Sequence, residues 1–223
     1  MKIIVCMKQV PAGTKVDIDP ETGAMKRLSS DTRTNPYDLF ALECALQLKE
    51  KLHGAVTALT MGPAQAESMM RDAYAMGVDD AVILSDRKFA GADVLSTSYT
   101  LSQGEPLLGG ADLISCGKQT TDGDTAQGGP ALAEHLHIPH AAWVTEIMEA
   151  DEKGICVKQK LASVTQESRI PYPCLITVDK DICVPRLPSY LLKKKTARKE
   201  VRMVGYSDLP DQDMSRYGLI GSP

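Results

Sequence analysis

The chain has 223 residues, of which 43% are hydrophobic and 24% charged, and these proportions are ordinary for a folded globular protein. A formal net charge of -4 argues against nucleic-acid binding, because contact with a phosphate backbone requires a basic surface. No run of 18 apolar residues occurs, so the sequence predicts no membrane insertion and a cytoplasmic protein.

The six cysteines are scattered along the chain without a CxxC pair. Three of them lie inside apolar runs, which predicts reduced and mostly buried thiols. They are Cys6, Cys44, Cys116, Cys156, Cys174 and Cys183.

The first segments of the chain alternate between strand and helix patterns. KIIVCM predicts a first strand, and the polar excursion from Lys8 to Thr34 that follows could hold a small hairpin. Asn35 and Pro36 suit the N-cap and first position of a helix whose apolar stripe ends at Gly54.

The same alternation continues to His140. AVTALTMG (55–62) reads as a strand, and the next helix is predicted to start at Pro63 and end at Gly77. DDAVILSD, GADVLSTSYTL, ADLISCGK and AQGGPALAEHL then indicate strand, helix, strand and helix. This spacing predicts a parallel sheet with right-handed crossovers and helices on both faces.

Past His140 the pattern changes to strands joined by turns, which predicts antiparallel strands that extend the sheet. From Asp179 onward the sequence offers little core-forming content. We therefore expect this last part of the chain to be peripheral and to face a partner.

The stretch TTDGDTAQGGP (120–130) is a candidate ligand site, because ligands of an open parallel sheet collect beyond the carboxyl ends of its strands. A helix is predicted to begin near Thr125, where the backbone N–H groups of Thr125, Ala126 and Gln127 could meet a phosphate. The glycines would allow close approach to the backbone. The alternative is a plain turn in which Asp124 caps the helix.

No metal or catalytic residue is predicted. Asp122 and Asp124 lack the further oxygen ligands of a calcium loop. Residues two apart on a helix point away from each other, so His135 and His137 favour a surface cluster over a zinc site. GxSxG and GxxxxGK[ST] signatures are absent, which leaves hydrolysis and phosphoryl transfer poorly supported.

A basic run, KKKTARKEVR, follows the apolar segment RLPSYLL. The run could be a solvated face or a patch for an acidic partner or a cofactor phosphate. Tyr190, Leu191 and Leu192 stand between prolines and charges, and a hydrophobic anchor with a basic rim is the composition of a docking loop.

Five ordered blocks of the sequence together resemble the β subunit of electron transfer flavoprotein, and the resemblance covers nearly the whole chain. The blocks are VCMKQVP, NPYDLFALECALQLKEK, TMGPAQAESMMRDAYAMGVDDAVILSDR, GKQTTDGDTAQGGPALAEHL and GLIGSP. Family members usually continue past the position of Pro223 into an arm that reaches over the α subunit.

The resemblance implies a flavodoxin-like α/β fold of the adenine-nucleotide-binding type, in a heterodimer with an α subunit. Such a protein is an electron carrier without turnover of its own, and it passes electrons from an acyl-CoA or other dehydrogenase to an acceptor. In the ordinary class the β subunit holds AMP while the α subunit holds FAD. In the NADH-linked electron-bifurcating class, the same cleft holds a second FAD.

The resemblance also implies the residues that contact the nucleotide and the partner. The nucleotide residues are Cys6, Lys8, Asn35, Pro36, Tyr37, Met61, Asp122, Asp124, Thr125, Ala126, Gln127 and Gly128. The recognition loop for dehydrogenases would include Arg186, Leu187, Tyr190, Leu191 and Lys193. Residues 1–190 would then form the nucleotide-binding domain, and residues 184–223 the docking loop and C-terminal extension.

The alternative function is a stand-alone nucleotide-binding regulatory protein of the universal-stress type, which shares the general fold. It would carry a glycine-rich ATP loop and end near residue 150, and the sequence has neither feature. With only 4% aromatic residues, the chain offers little to stack on a flavin ring, which weakly favours AMP or a FAD held by its AMP half.

Overall fold

The computed structural model describes residues 1–12, 17–18, 25–26 and 32–223, of which 17–18 and 25–26 are described as backbone only. A nine-stranded sheet forms the centre of this structure. The strands are β1 (Lys2–Cys6), β2 (Gln9–Pro11), β3 (Asp17–Ile18), β4 (Met25–Lys26), β5 (Thr32–Thr34), β6 (Ala55–Met61), β7 (Asp80–Leu84), β8 (Leu113–Gly117), β9 (His140–Ala150), β10 (Gly154–Lys160), β11 (Thr165–Pro171), β12 (Cys174–Val178) and β13 (Arg202–Val204). The helices are α1 (Pro36–Leu52), α2 (Glu67–Met76), α3 (Val94–Gly104), α4 (Gly128–His135) and α5 (Tyr190–Thr196).

The strand order in the sheet is β11-β10-β9-β12-β8-β1-β6-β7-β13. All neighbours are parallel except β10, which pairs antiparallel with both β9 and β11. The predicted parallel sheet with an antiparallel extension is therefore confirmed. Since the chain leaves β1 toward β6 and later returns on its other side as β8, the strand order reverses at β1.

Helices cover both faces of the sheet, so the central strands are buried on both sides and read as continuous apolar runs. Side chains of α1 and α2 pack with Ile3 and Val5 on one face, while Leu132 of α4 packs with Ile4 on the other. The methionines of α2 belong to this core and are buried: Met69, Met70 and Met76.

Local signals fix the start of α1 and the end of α2 as predicted, whereas α2 starts four residues after the predicted Pro63. Asn35 precedes α1 with Pro36 as its first residue, and Gly77 ends α2 with a φ of 124°. A 3-10 turn, Ala64–Ala66, separates Pro63 from the first residue of α2. Among the described residues, no helix combines the length and the apolar character needed to cross a membrane.

The start of α4 differs from the prediction: the helix begins at Gly128 and its N-cap is Gln127, so neither a start near Thr125 nor Asp124 as N-cap holds. Asp124 and Ala126 have φ values of 52° and 54°, which lie in the left-handed region. Right-handed helical bonding cannot run through these residues, and this displaces the start of α4.

The expectation that the last part of the chain is peripheral is wrong. Strand β13 extends the sheet beside β7, and Leu209 and Tyr217 are buried. The ring of Tyr217 lies 5.2 Å from that of Tyr206 and 5.5 Å from that of Tyr99, as measured between centroids. These aromatic residues are isolated in the sequence, so no local periodicity reveals that they share a core.

Part of the polar excursion after β1 forms paired strands. β2 pairs with β5 and β3 pairs with β4, both antiparallel, in agreement with a small hairpin. Residues 13–16, 19–24 and 27–31 lie outside the described residues.

The two glycines at the start of α4 provide a test of the packing. A Cβ at Gly129 would overlap Thr177 Cγ2, which belongs to a buried, β-branched side chain, whereas a Cβ at Gly128 meets nothing within 4 Å. We expect Gly129→Ala to lower the free energy of unfolding in urea by about 1–3 kcal/mol. Gly128→Ala is the matched control, with a change below about 1 kcal/mol. Equal effects of the two substitutions would contradict this packing.

Candidate functional site

The candidate site lies at the carboxyl edge of the sheet, where the loops after β1, β6 and β8 meet. In register, Cys6 at the end of β1 faces Leu59 of β6 and Cys116 of β8, so these strands end side by side. This edge adjoins the point where the strand order reverses, which is where open α/β sheets bind ligands.

Asn35 joins two of these loops through its backbone and its amide side chain. Its backbone N–H donates to Lys8 O at 2.9 Å, and its Nδ2 donates to Gln119 O at 2.9 Å. Its Oδ1 accepts a hydrogen bond of 3.2 Å from the backbone N–H of Thr121. Asn35 is fully buried, so these hydrogen bonds replace the hydrogen bonds that its polar groups would make to water in the unfolded chain.

Asp38, in the first turn of α1, is the buried carboxyl group of the site and is only 5% exposed. Its Oδ2 accepts from the Lys8 N–H at 2.7 Å, and its Oδ1 accepts from Asn35 Nδ2 at 2.9 Å. Burial raises the pKa of Asp38 to about 7, against the opposing effects of Asn35, Lys8 and the Gly117 N–H. A Cβ on Gly117 would overlap Asp38 Oδ1, so this close approach requires glycine.

Lys8 and Asp122 form an ion pair across the cleft, with 2.8 Å between Nζ and Oδ1. Burial opposes ionisation of Asp122, but hydrogen bonds from Lys8 and Thr120 outweigh it and hold the pKa of that carboxyl below its usual value. The Lys8 side chain is 39% exposed, so its ammonium group remains within reach of a ligand.

The loop between β8 and α4 presents backbone donors to solvent. In the part of the chain that the structure describes, the N–H groups of Thr125, Ala126, Gln127 and Gly128 find no protein acceptor. The left-handed φ of Ala126 is unfavourable for a residue with a Cβ, and such strain is characteristic of functional loops. Asp124 Oδ1 accepts from Gln119 Nε2, which fixes the turn before these groups.

A cleft separates the end of β1 from the turn after β6. Lys8, Thr60, Met61 and Gly62 line it together with Gln65. Met61 is the last residue of β6, and the thiol of Cys6 lies on the neighbouring strand.

The predicted nucleotide residues therefore gather at one edge, on four segments. Cys6 ends β1 and Lys8 follows it, Met61 ends β6, and Asn35, Pro36 and Tyr37 lie at the start of α1. Asp122, Asp124, Thr125, Ala126, Gln127 and Gly128 lie between β8 and the first residue of α4. Their contact with a nucleotide stays a prediction.

Sequence analysis missed Asp38 and Gly117, which join the segments to one another. The signal for Asp38 is an acidic residue in the first turn of a helix, which is common at helix N-termini in general. The approach of Gly117 covers this carboxyl, and the two residues are far apart in the sequence.

Arg186, predicted as a docking residue, is bound to α1. Its Nε and backbone N–H donate to Glu43 Oε2 at 2.8 and 3.0 Å, and its Nη1 donates to Glu50 Oε1 at 2.6 Å. Burial opposes ionisation of Glu43, yet the hydrogen bonds from Arg186 keep the pKa of that carboxyl below its usual value. Arg186 therefore anchors the segment that carries the other docking residues.

The remaining predicted docking residues are exposed on and before α5. Leu187, Tyr190 and Leu191 are 86%, 69% and 77% exposed, and Lys193 is exposed as well. The backbone N–H of Ser189 donates to Ala75 O at the end of α2. Since the helices run back across the sheet, this apolar patch lies toward the amino edge, opposite the candidate nucleotide site.

No cluster of three or more His, Cys, Asp or Glu residues with the geometry of a metal site occurs among the described residues. His135 ends α4, His137 follows it with a φ of 54°, and His140 begins β9. The three histidines thus belong to different local structures.

The strand order and the loops at the switch point define an α/β protein of the class that binds ligands beyond the carboxyl ends of parallel strands. Comparison with known proteins narrows this class. The family model described as "Electron transfer flavoprotein domain" matches residues 22–209.

Curated relatives match most or all of this chain. Protein FixA of Sinorhizobium fredii is 39% identical over 229 residues, covering 100% of this chain and 80% of that protein. The electron transfer flavoprotein subunit beta of Clostridium acetobutylicum is 41% identical over 223 residues, covering 100% and 85%. Subunit CarD of the caffeyl-CoA reductase-Etf complex of Acetobacterium woodii is 43% identical over 190 residues, covering 85% and 72%.

The chain belongs to the electron transfer flavoprotein family, which confirms the resemblance seen in the sequence. It is an electron-transfer subunit, and the stand-alone regulatory protein is not favoured. Membership in a flavoprotein family associates the chain with a flavin or nucleotide.

The titration of Asp38 provides a test of the site. A carboxyl whose pKa is raised on folding contributes stability that is complete below its unfolded pKa and is lost as the pH rises through about 7. Between about pH 4 and 7, the free energy of unfolding of the wild type should fall relative to Asp38→Asn, by at most about 1.4 kcal/mol per pH unit. Urea unfolding across this range measures the difference, and parallel curves would contradict the burial of an ionisable Asp38.

Proposed function

We propose that this chain is the nucleotide-holding β subunit of a cytoplasmic heterodimer, and that it works in electron transfer beside an α subunit that holds FAD. The carboxyl edge holds AMP, or the AMP half of a second FAD. The apolar patch on and before α5 receives a partner dehydrogenase.

The observation that carries this proposal is the joining of the loops after β1 and β8 by Asn35 and Asp38, beside backbone donors that find no acceptor among the described residues. Exposed N–H groups at a helix start, with the ammonium group of Lys8 nearby, suit a phosphate. Gly128 leaves open space above the first turn of α4. These features fit an anionic nucleotide.

The carboxylates of the site have positioning roles in this proposal. Asp122 holds Lys8, Asp124 holds Gln119, and Asp38 holds the backbone of Lys8. A flavin supplies the electron-carrying chemistry when it is bound, while these residues bind and orient its adenylate part or AMP. The chain thus contributes a binding site and no chemical step.

The identity of the nucleotide is tested by releasing it from the full chain purified together with its α-type partner. One FAD plus one AMP for each heterodimer identifies the ordinary arrangement, which we expect from the scarcity of aromatic residues. Two FAD identify the NADH-linked bifurcating arrangement. Absence of any adenine nucleotide beyond the flavin of the partner would overturn the proposal.

Substitution of Lys8 tests the location of the site. Lys8→Gln removes the ion pair with Asp122 and the positive charge near the N–H groups. We expect the affinity for AMP, measured by calorimetry, to fall by roughly 10-fold to 100-fold, as loss of a charge-assisted hydrogen bond would cause. Lys2→Gln is the control, because Lys2 Nζ donates to Gly109 O at the amino end of the same strand. Equal affinities of the two variants would exclude this location.

The docking role is tested by removing the ion pairs through which Arg186 holds the docking segment against α1. Arg186→Gln leaves the buried carboxylate of Glu43 with a weaker partner and should destabilise the chain by about 1–3 kcal/mol. We expect KM for the reducing dehydrogenase to rise while AMP affinity is unchanged, since Arg186 hydrogen-bonds to Glu43 and Glu50 and to none of the predicted nucleotide residues. Arg202→Gln, whose Nη2 donates only weakly to Leu107 O at 3.4 Å, is the control. An unchanged KM for Arg186→Gln would count against the docking role.

A further inference from the structure

Two thiols face each other near the carboxyl ends of β1 and β8, at the edge of the sheet that carries the candidate site. Cys6 is the last residue of β1 and Cys116 is its direct partner in β8, and both side chains pack on the same face of the sheet. Neighbouring strands lie about 4.8 Å apart, and disulfides join residues whose Cα atoms are about 4.4–6.8 Å apart. The two cysteines can therefore be bridged with little movement of the backbone.

The two thiols differ in access. Cys6 is partly exposed, whereas Cys116 is 7% exposed and lies beneath the start of α4, where a Cβ built on Gly129 would stand 3.6 Å from Cys116 Cβ. The Cys116 thiol donates a hydrogen bond to Cys6, which raises the pKa of Cys116, and burial and the nearby Asp38 add to this effect. A reagent in solvent therefore reaches Cys6 first.

The other cysteines do not share this position. Cys44 and Cys183 line a separate cavity between α1 and the segment before Arg186, and burial raises the pKa of both thiols. Cys174 is fully buried in β12, and Cys156 lies on β10 of the antiparallel extension. Among the six cysteines, Cys6 and Cys116 are the pair that combines direct strand register with a partly exposed thiol.

We propose that Cys6 and Cys116 form a reversible disulfide when the chain meets a low-molecular-weight disulfide. The thiolate of Cys6 attacks one sulfur of the reagent, a protein-reagent disulfide forms, and one reagent thiol leaves. Cys116 then loses its proton and attacks the Cys6 sulfur, and the second reagent thiol leaves with that proton. Two protein thiols are oxidised, and the reagent disulfide is reduced to two thiols.

The bridge changes the cleft, and this part rests on the proposed nucleotide site. The bridge would draw the sulfur atoms of Cys6 and Cys116 together directly beneath the loop that leads into α4. Oxidation should therefore weaken the retention of AMP, and bound AMP should shield Cys6 from the reagent. The pair would then couple the thiol redox state to the nucleotide content of the subunit.

The test treats the full chain with oxidised glutathione, alkylates the remaining thiols and identifies the peptides by mass spectrometry. We expect a linked Cys6–Cys116 peptide pair that is lighter by two hydrogen atoms and is restored by a reductant. Cys116→Ser should accumulate glutathione on Cys6, and Cys6→Ser should leave Cys116 unmodified. The double variant Cys44→Ser with Cys183→Ser is the control and should link as the wild type does.

Wild-type chain that carries glutathione on Cys6 without the linked pair would overturn the proposal, as would a link that needs Cys44 or Cys183. A parallel reaction with saturating AMP separates the two proposals. If AMP slows the formation of the disulfide several-fold, the result supports the disulfide and the nucleotide site. If the disulfide forms at the same rate and the chain binds no AMP, the result supports the disulfide and contradicts the nucleotide site.

Discussion

Asp38 is a carboxyl group buried where three segments of the chain meet, and the carboxyl edge of the sheet depends on it. Its two oxygens accept from the backbone of Lys8 and the side chain of Asn35, and Gly117 approaches closely enough to exclude any side chain. A buried carboxyl of this kind is stable only while its hydrogen bonds are complete. The loops after β1 and β8 are thereby held together before any ligand binds, which reduces the entropy lost on binding.

Helix α1 connects the two surfaces that the proposed function requires. Its first turn carries Asp38, and its last turns carry Glu50, which together with Glu43 holds Arg186. The 12 residue steps from Asp38 to Glu50 span about 18 Å along the helix axis. The proposed nucleotide site and the proposed docking patch are thus separate in space but share one rigid element. This separation suits a nucleotide that supports the fold of the subunit while the partner binds elsewhere.

The sequence predicts features whose causes are local. Asn35 and Pro36 predict the start of α1, and the alternation of strand and helix patterns predicts the parallel sheet. Each of these features depends on residues that are neighbours in the sequence. The burial of Asp38 depends on Gly117, which is distant in the sequence, so no local pattern predicts it. The start of α4 was misplaced because Ala126 adopts a left-handed conformation that its residue type disfavours. The sequence does not predict that the last part of the chain is buried, because Tyr206 and Tyr217 contact each other only in the folded chain.

Amide hydrogen exchange of the full chain with and without AMP tests the central claim most directly, because it locates the nucleotide by the backbone it covers. The account predicts slower exchange at residues 122–128, where the N–H groups would bind the phosphate, and at residues 35–38, where α1 begins. Exchange at α5 should remain unchanged. Protection confined to α5, or no protection at all in the presence of saturating AMP, would contradict a nucleotide site at the carboxyl edge.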